Sequence, residues 1–161
     1  MSDARPARPD VELTVESPES PDALWCRDQY FAEIDALFDH GYDPGAAIPA
    51  SAPDLSPPHG AFIVARVDGK PVGCGGVKLP PGEPAFLKRM WVSPDARGLG
   101  IGARILDELE RIARECGATA VTLDTNSKLE AAAQMYLKRG YREVPDFNGE
   151  LHADRWYRKD F

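Results

Sequence analysis

The sequence predicts a single α/β domain built on a mixed, mostly antiparallel sheet. Three strand-like runs, residues 61–67, 70–79 and 85–92, follow one another through turns too short for anything but antiparallel neighbours. A glycine-bearing turn then opens an amphipathic helix, and a fourth run, residues 120–123, comes after it. A strand reached through a helix lies parallel to the strand that fed it, by a right-handed crossover. With 161 residues and 43% apolar content, one core suffices.

In chain order, residues 1–10 hold two Arg, two Pro and no periodicity, and read as a disordered leader before a domain over residues 11–161. Residues 11–15 alternate with a period of two and form the first strand. Ser20 followed by Pro21 is a cap and a first-turn proline, and apolar residues then recur at helical spacing to Phe38, with Gly41 as the stop. Residues 41–60 contain Pro44, Pro49, Pro53, Pro57 and Pro58, and are expected to be a surface loop with a short helical piece. Asp68-Gly69 is a tight-hairpin signal, and Gly73, Gly75 and Gly76 mark a bulge or a close approach in the strand that follows. Pro80-Pro81-Gly82 turns the chain into the central strand, residues 85–92. The helix after the glycine turn buries Ile105, Leu106, Leu109, Ile112, Ala113 and Cys116, and Gly117 ends it. Ser127-Lys128-Leu129-Glu130 has the form of a capping box for a helix through Arg139, closed by Gly140. Residues 141–144 and 155–159 are the last strands.

Composition excludes several classes. No apolar run is long enough to span a bilayer and the N-terminus lacks a signal-peptide core, so no membrane is expected and the protein reads as cytoplasmic. Cys26, Cys74 and Cys116 cannot all pair, and no spacing suggests a metal; all three are expected to be small buried hydrophobes, with Cys74 the one that could line a site. A net charge of −7 argues against nucleic acid as a partner.

The central strand, its turn and the helix start, residues 87–104, have the opposite local sign: Lys88, Arg89, Arg97 and Arg104 face only Asp95. Glycines permit positive φ and leave room for a ligand, and the free amides at the start of the helix favour a phosphate or diphosphate. Two phosphate-binding readings fit. Gly98-x-Gly100-x-x-Ala103 matches a dinucleotide fingerprint, with Asp124 as the ribose-binding acid, but a Pro-containing loop intervenes after the strand and too little chain follows for a doubly wound sheet. The absence of Gly-Lys-Ser/Thr excludes a kinase-type phosphate loop.

The other reading rests on Arg97-x-x-Gly100-x-Gly102 together with residues 123–141, LDTNSKLEAAAQMYLKRGY. In that order and at that distance, the two stretches resemble the GNAT family of acyl-CoA-dependent N-acetyltransferases, over roughly residues 11–160. The resemblance implies the acyl-CoA N-acyltransferase fold, with helices on both faces of the sheet and two parallel strands that splay apart to admit pantetheine. It implies acetyl-CoA as cosubstrate and no metal, with the backbone of Met90, Trp91 and Val92 carrying the pantetheine arm. Arg97, Gly98, Leu99, Gly100, Ile101, Gly102 and Ala103 would hold the diphosphate. The acceptor would be a primary amine of a small molecule or peptide, attacking directly in a ternary complex; a homodimer is an allowed assembly. A non-catalytic acyl-CoA-binding or interaction module of the same fold is the alternative function.

Acetyl transfer to an amine requires a base for the ammonium, of pKa about 10.4, and a proton donor for the thiolate, of pKa about 8.5. The resemblance places Tyr136 near the cofactor sulfur as the acid; on the bland reading it only packs in a helix stripe with Leu129, Ala132 and Ala133. Asn126 either contacts pantetheine or simply turns the chain. Relatives commonly carry a carboxylate on the central strand, where this chain has Phe86 and Leu87, which leaves Glu83 as the nearest acid and His59, His152 and Asp146 as further bases. Strand alternation sends Lys88 and Arg89 to opposite faces. Asn148, His152 and Trp156 are acceptor-pocket candidates by position.

Overall fold

The computed structural model describes residues 10–38, 41 and 51–161. Seven strands form one sheet: β1 (Val11–Val15), β2 (Gly60–Val67), β3 (Lys70–Lys78), β4 (Ala85–Val92), β5 (Ala120–Thr125), β6 (Arg142–Val144) and β7 (Arg155–Asp160). Their order is β1-β2-β3-β4-β5-β7-β6. Every neighbouring pair is antiparallel except β4 and β5. The predicted leader lies outside the described residues except for Asp10, as do residues 42–50 of the Pro-rich loop.

Among the described residues three α-helices cover the two faces: α1 (Pro21–Leu37), α2 (Ile101–Glu115) and α3 (Glu130–Lys138). On one face Ile105, Leu106 and Leu109 of α2 and Tyr136 of α3 pack with Ile63, Val77, Leu87 and Leu123. On the other, Ala23 and Cys26 of α1 pack with Phe62, Val64, Cys74 and Trp91, together with Leu55 from a 3-10 turn at Pro53–Leu55. That turn is the helical piece expected in the Pro-rich segment. Ser20 caps α1 as predicted, its hydroxyl accepting from the Ala23 amide at 3.2 Å. Arg66 ties α1 to the sheet edge, with both nitrogens of its fork on Glu16 and its Nε on Asp22.

Three sequence readings are corrected. Ser127 does not cap α3, whose first residue is Glu130 and whose cap position is Leu129. Asp154 takes both the Ser127 amide and its hydroxyl at 2.7 Å, a tertiary partner that outcompetes the local one. Cys116 is exposed, because α2 ends at Glu115 and leaves it at the turning cap position. Cys26 and Cys74 are buried as expected.

The third correction concerns β4. The β3–β4 register shifts between Cys74 and Gly76, and Arg89 opposite takes φ +56°, a conformation rare for a residue with a side chain. This bulge breaks the alternation that would separate Lys88 from Arg89. The Lys88 ammonium lies 5.1 Å from the centre of the Phe86 ring and the Arg89 guanidinium 5.8 Å from that of Phe31 on α1, so both reach the α1 side.

Gly73 and Gly75 of β3 let α2 lie close. A Cβ on Gly75 would sit 2.5 Å from Met90 Sδ and 2.8 Å from Ile105 Cγ2. Gly75→Ala is therefore expected to cost about 1–3 kcal/mol by overpacking and to lower Tm by several degrees in a thermal melt. An unchanged Tm would mean that α2 is not held against β3 at this point.

Candidate functional site

β4 and β5 pair only at Ala85–Val121 and Phe86–Thr122. Beyond Phe86, β4 continues to Val92 and β5 to Thr125 with no pairing between them. The parting opens a cleft of about 390 Å³ between β4, β5, α1 and α3. Residues 87–90 and 123–126 line its two strand walls, with Tyr30 and Phe31 of α1 and Phe38 just past its end on one side and Ala132 and Tyr136 of α3 on the other.

At the end of β4 the chain passes a 3-10 turn (Pro94–Ala96) into the glycine loop. Gly98 (φ +87°) and Gly100 (φ +75°) both occupy the left-handed region, where a side chain would be strained. Gly100 is the cap residue of α2; no side chain caps this helix and no acid lies in its first turn. The first-turn amides of Ile101, Gly102 and Ala103 lack intrahelical partners by construction, and with the helix dipole they suit an anion such as a diphosphate. The glycines are not equivalent. A Cβ on Gly102 would meet Met135 Sδ at 3.1 Å, so this glycine also lets α2 and α3 approach, whereas Gly98 and Gly100 face open space.

Arg97 and Leu99 are exposed on this loop, and the side chain of Ile101 is buried. Arg97 donates from Nε to the Val92 carbonyl at 3.1 Å and from its fork to Glu33 on α1. The other oxygen of Glu33 accepts from Trp91 Nε1 at 2.7 Å. Trp91 packs in the α1-side core, edge-on to Trp25, so its side chain points away from the cleft. Met90 lines the cleft.

Tyr136 sits inside the cleft wall, buried, with its ring 5.6 Å from that of Tyr141 and 6.1 Å from that of Tyr157. Burial, and then the charge of Asp124, push its phenol well above the usual tyrosine range, so the proton stays on at neutral pH. Asn126 lines the cleft but its amide is used locally: Nδ2 donates to the His152 carbonyl at 3.1 Å, and Oδ1 accepts from the Lys128 amide at 3.0 Å. Asn126 is thus a turn former at the cleft wall.

Glu83 is not brought to Tyr136. It sits in the β3–β4 turn and lines a separate cleft with His59, Phe86 and Phe147. Asp146 closes its own loop by accepting the amides of Asn148 and Gly149. In the cleft with Tyr136 stand two carboxylates that sequence reasoning passed over as bases, Asp124 and Glu150. Asp124 accepts from Asn148 Nδ2 at 2.7 Å, and Asn148 in turn accepts from Trp156 Nε1 at 2.9 Å. Burial pushes the Asp124 carboxyl up, against the pull of Asn148 and Lys88. Burial likewise pushes the Lys88 ammonium down, opposed by Asp124 and Glu150. Asp124 stood in the second motif, legible as an acid but read only as a ribose ligand; Glu150 lies in an aperiodic loop that carries no such signal.

The sequence profile of the acetyltransferase (GNAT) family matches residues 19–141. A protein of Azospirillum brasilense named IAA acetyltransferase is 32% identical over 140 residues, covering 86% of this chain and 89% of the relative. Among solved structures, a GNAT-family acetyltransferase from Staphylococcus aureus Mu50 superposes with a TM-score of 0.76 at 19% identity, covering 94% of this chain and 99% of that one. The PaiA N-acetyltransferase of Thermoplasma acidophilum, solved in complex with coenzyme A, has a TM-score of 0.55 at 25% identity, covering 62% and 60%.

The Glu33 contacts generate a test independent of any ligand. Glu33→Ala leaves the buried Trp91 indole N–H unpaired, an expected loss of about 1–3 kcal/mol, read as a lower urea midpoint. Glu33→Gln keeps an acceptor and should lose less. Equal midpoints for wild type and alanine variant would remove Glu33 as the tie between α1 and β4.

Proposed function

The chain belongs to the acetyltransferase (GNAT) family, and from that premise we propose that it transfers acetyl from acetyl-CoA to a primary amine by direct attack in a ternary complex. One observation carries the reading: the cleft between parted strands, one of which leads on into an uncapped helix start, holds a protonated phenol and two carboxylates. In this proposal the diphosphate rests on residues 97–103 and the pantetheine arm follows the unpaired edge of β4 past Val92, Trp91 and Met90. CoA in the PaiA relative's structure supports the choice of cofactor. The reaction is assigned to the cytoplasm, a reducing setting compatible with the free cysteines.

Asp124 takes the proton of the incoming ammonium, a better base for having its pKa raised. The amine nitrogen then bonds to the acetyl carbonyl carbon and the carbon–sulfur bond breaks; the Tyr136 hydroxyl gives its proton to the departing thiolate, and the second proton, leaving the nitrogen as the amide forms, restores the phenol. Charge therefore moves from one wall of the cleft to the other. Asn148, anchored by Trp156, holds the Asp124 carboxylate in place.

Three expected outcomes test this. CoA at a hundred times its Kd should add about 2.7 kcal/mol of stability, an upward Tm shift of several degrees, with none from NAD at equal concentration; the reverse pattern would favour a dinucleotide at the loop. In thiol-release assays with one accepted amine, Tyr136→Phe should lower kcat by roughly 10²–10⁴-fold with normal acetyl-CoA affinity. The wild-type kcat/KM should fall as pH drops through the raised Asp124 pKa, above the ordinary value of about 3.9, because the protonated carboxyl cannot accept. Asp124→Asn should abolish that acidic limb along with most of the rate; a limb that survives assigns the base elsewhere.

A further inference from the structure

Asp124 of β5 and Trp156 of β7 stand directly opposite one another in the antiparallel ladder, so their side chains share one face of the sheet. Asn148, from the loop that joins β6 to β7, bridges the two. Its Nδ2 donates to Asp124 Oδ2 at 2.7 Å, and its Oδ1 accepts from Trp156 Nε1 at 2.9 Å and from the Glu150 amide at 3.1 Å. The orientation of this amide is fixed by its neighbours. An indole N–H and a backbone N–H can only donate and an ionised carboxylate can only accept, so a flipped Asn148 would lose all three contacts. Asp146 sets the loop itself: its Oδ1 accepts the amides of Asn148 at 3.0 Å and Gly149 at 2.7 Å, with Gly149 at φ +68° to make the turn.

The bridge bears on the charge of Asp124. A donor to a carboxylate favours its ionised form, the more so where water is partly excluded. Asp124 is half-buried, and burial pulls it toward the protonated carboxyl. Among the described residues, Asn148 and then Lys88 of β4 favour the charge, while Glu150 and Asp146 of the loop oppose it. Tyr136 of α3 stands in the same cleft, as do Arg27 of α1, Arg89 of β4, Lys128 and His152.

Resting on the acetyl-transfer reading, we propose that Asn148 is the positioning residue of the base and that Trp156 locks it: the amide holds Asp124 Oδ2, turns Oδ1 to the amine, and sets the pH below which transfer stops. Trp156 acts on the base through Asn148. Taking the donor away disfavours the charged carboxylate, so the carboxyl keeps its proton to a higher pH and the acidic limb of kcat/KM moves up.

Two measurements on the same proteins test this. One is a carbon NMR titration of the Asp124 side-chain carboxyl, assigned against Asp124→Asn; the other is the acidic limb of kcat/KM in thiol release with one accepted amine. Asn148→Ala removes the donor, and both midpoints are expected to rise by about one to two pH units, the worth of one hydrogen bond to a charged group. Asn148→Asp keeps the shape but sets a second carboxylate against the first, and should raise the midpoints further. Trp156→Phe leaves the donor on Asp124 and loses one of the two contacts that fix the amide. A smaller rise in the same direction is expected, and this variant decides should the loop of the others fail to fold. A merely structural Asn148 would lower Tm and leave both midpoints in place, and that overturns the proposal. So does an NMR midpoint that rises while the kinetic limb stays, an outcome that takes the base role from Asp124 and leaves acetyl transfer standing. If no amine releases thiol, the acetyl-transfer reading falls and the NMR midpoint decides alone: a rise keeps Asn148 as the group that holds Asp124 charged, and no rise sinks both.

Discussion

Two residue pairs, Ala85–Val121 and Phe86–Thr122, are all that join β4 to β5, and the rest of the molecule is arranged around their stopping there. Past Phe86 the facing edges of two strands lose their ladder partners. Unpaired backbone groups in a protein interior are costly unless something else satisfies them. An open edge inside a fold is therefore a place for a ligand that can pair with it. The sheet tolerates the gap because each strand is secured on its other side, β4 by β3 and β5 by six residue pairs to β7. Buried polar contacts brace the β7 side further: Glu110 of α2 accepts from Tyr141 at 3.0 Å and from Lys159 of β7 at 2.8 Å.

The glycine loop and the cleft are coupled through Glu33. One of its oxygens holds Arg97 of the loop and the other holds Trp91 of β4, while its helix α1 supplies the aromatic wall of the cleft. Arg97 keeps further donors for a phosphate after meeting Glu33 and the Val92 carbonyl, because a guanidinium carries five. The arginine side chain is 47% exposed, so an anion can reach it without displacing Glu33. A fixed fork loses less side-chain entropy on binding than a free one. The neighbouring carboxylate opposes this by partly neutralising the charge, an effect that solvent weakens.

What was legible in the sequence was what local chemistry decides. The strands at residues 61–67, 70–79 and 85–92, the Ser20 cap and the glycine loop follow from periodicity and backbone freedom, and they stand where they were read. The failures share one cause, a partner distant in sequence. Asp154 captures Ser127 and undoes a well-formed capping box. A register shift against β3 turns Lys88 and Arg89 to the same side. Glu83, nearest the central strand in sequence, sits across a turn in another cleft. Asp124 and Glu150, far apart in sequence, meet at the gap. Glu33 lay on a helix read only for its apolar stripe, and its two contacts span 58 and 64 positions. No window on the sequence connects such residues, so the glycine loop could be read and the meeting of Asp124 and Glu150 at the gap could not.

The placement of Asp124 beside Tyr136 bears on a difficulty in the proposed chemistry. A phenol of pKa about 10 is already a weaker acid than a thiol of about 8.5, and full proton transfer to the thiolate would be uphill by about 2 kcal/mol. Burial makes the mismatch larger, and so does the negative charge of Asp124. That second contribution disappears once Asp124 has taken the proton of the amine. In the proposed order of steps the carboxylate is already neutral when the carbon–sulfur bond breaks, so the phenol then acts without a charged carboxylate beside it.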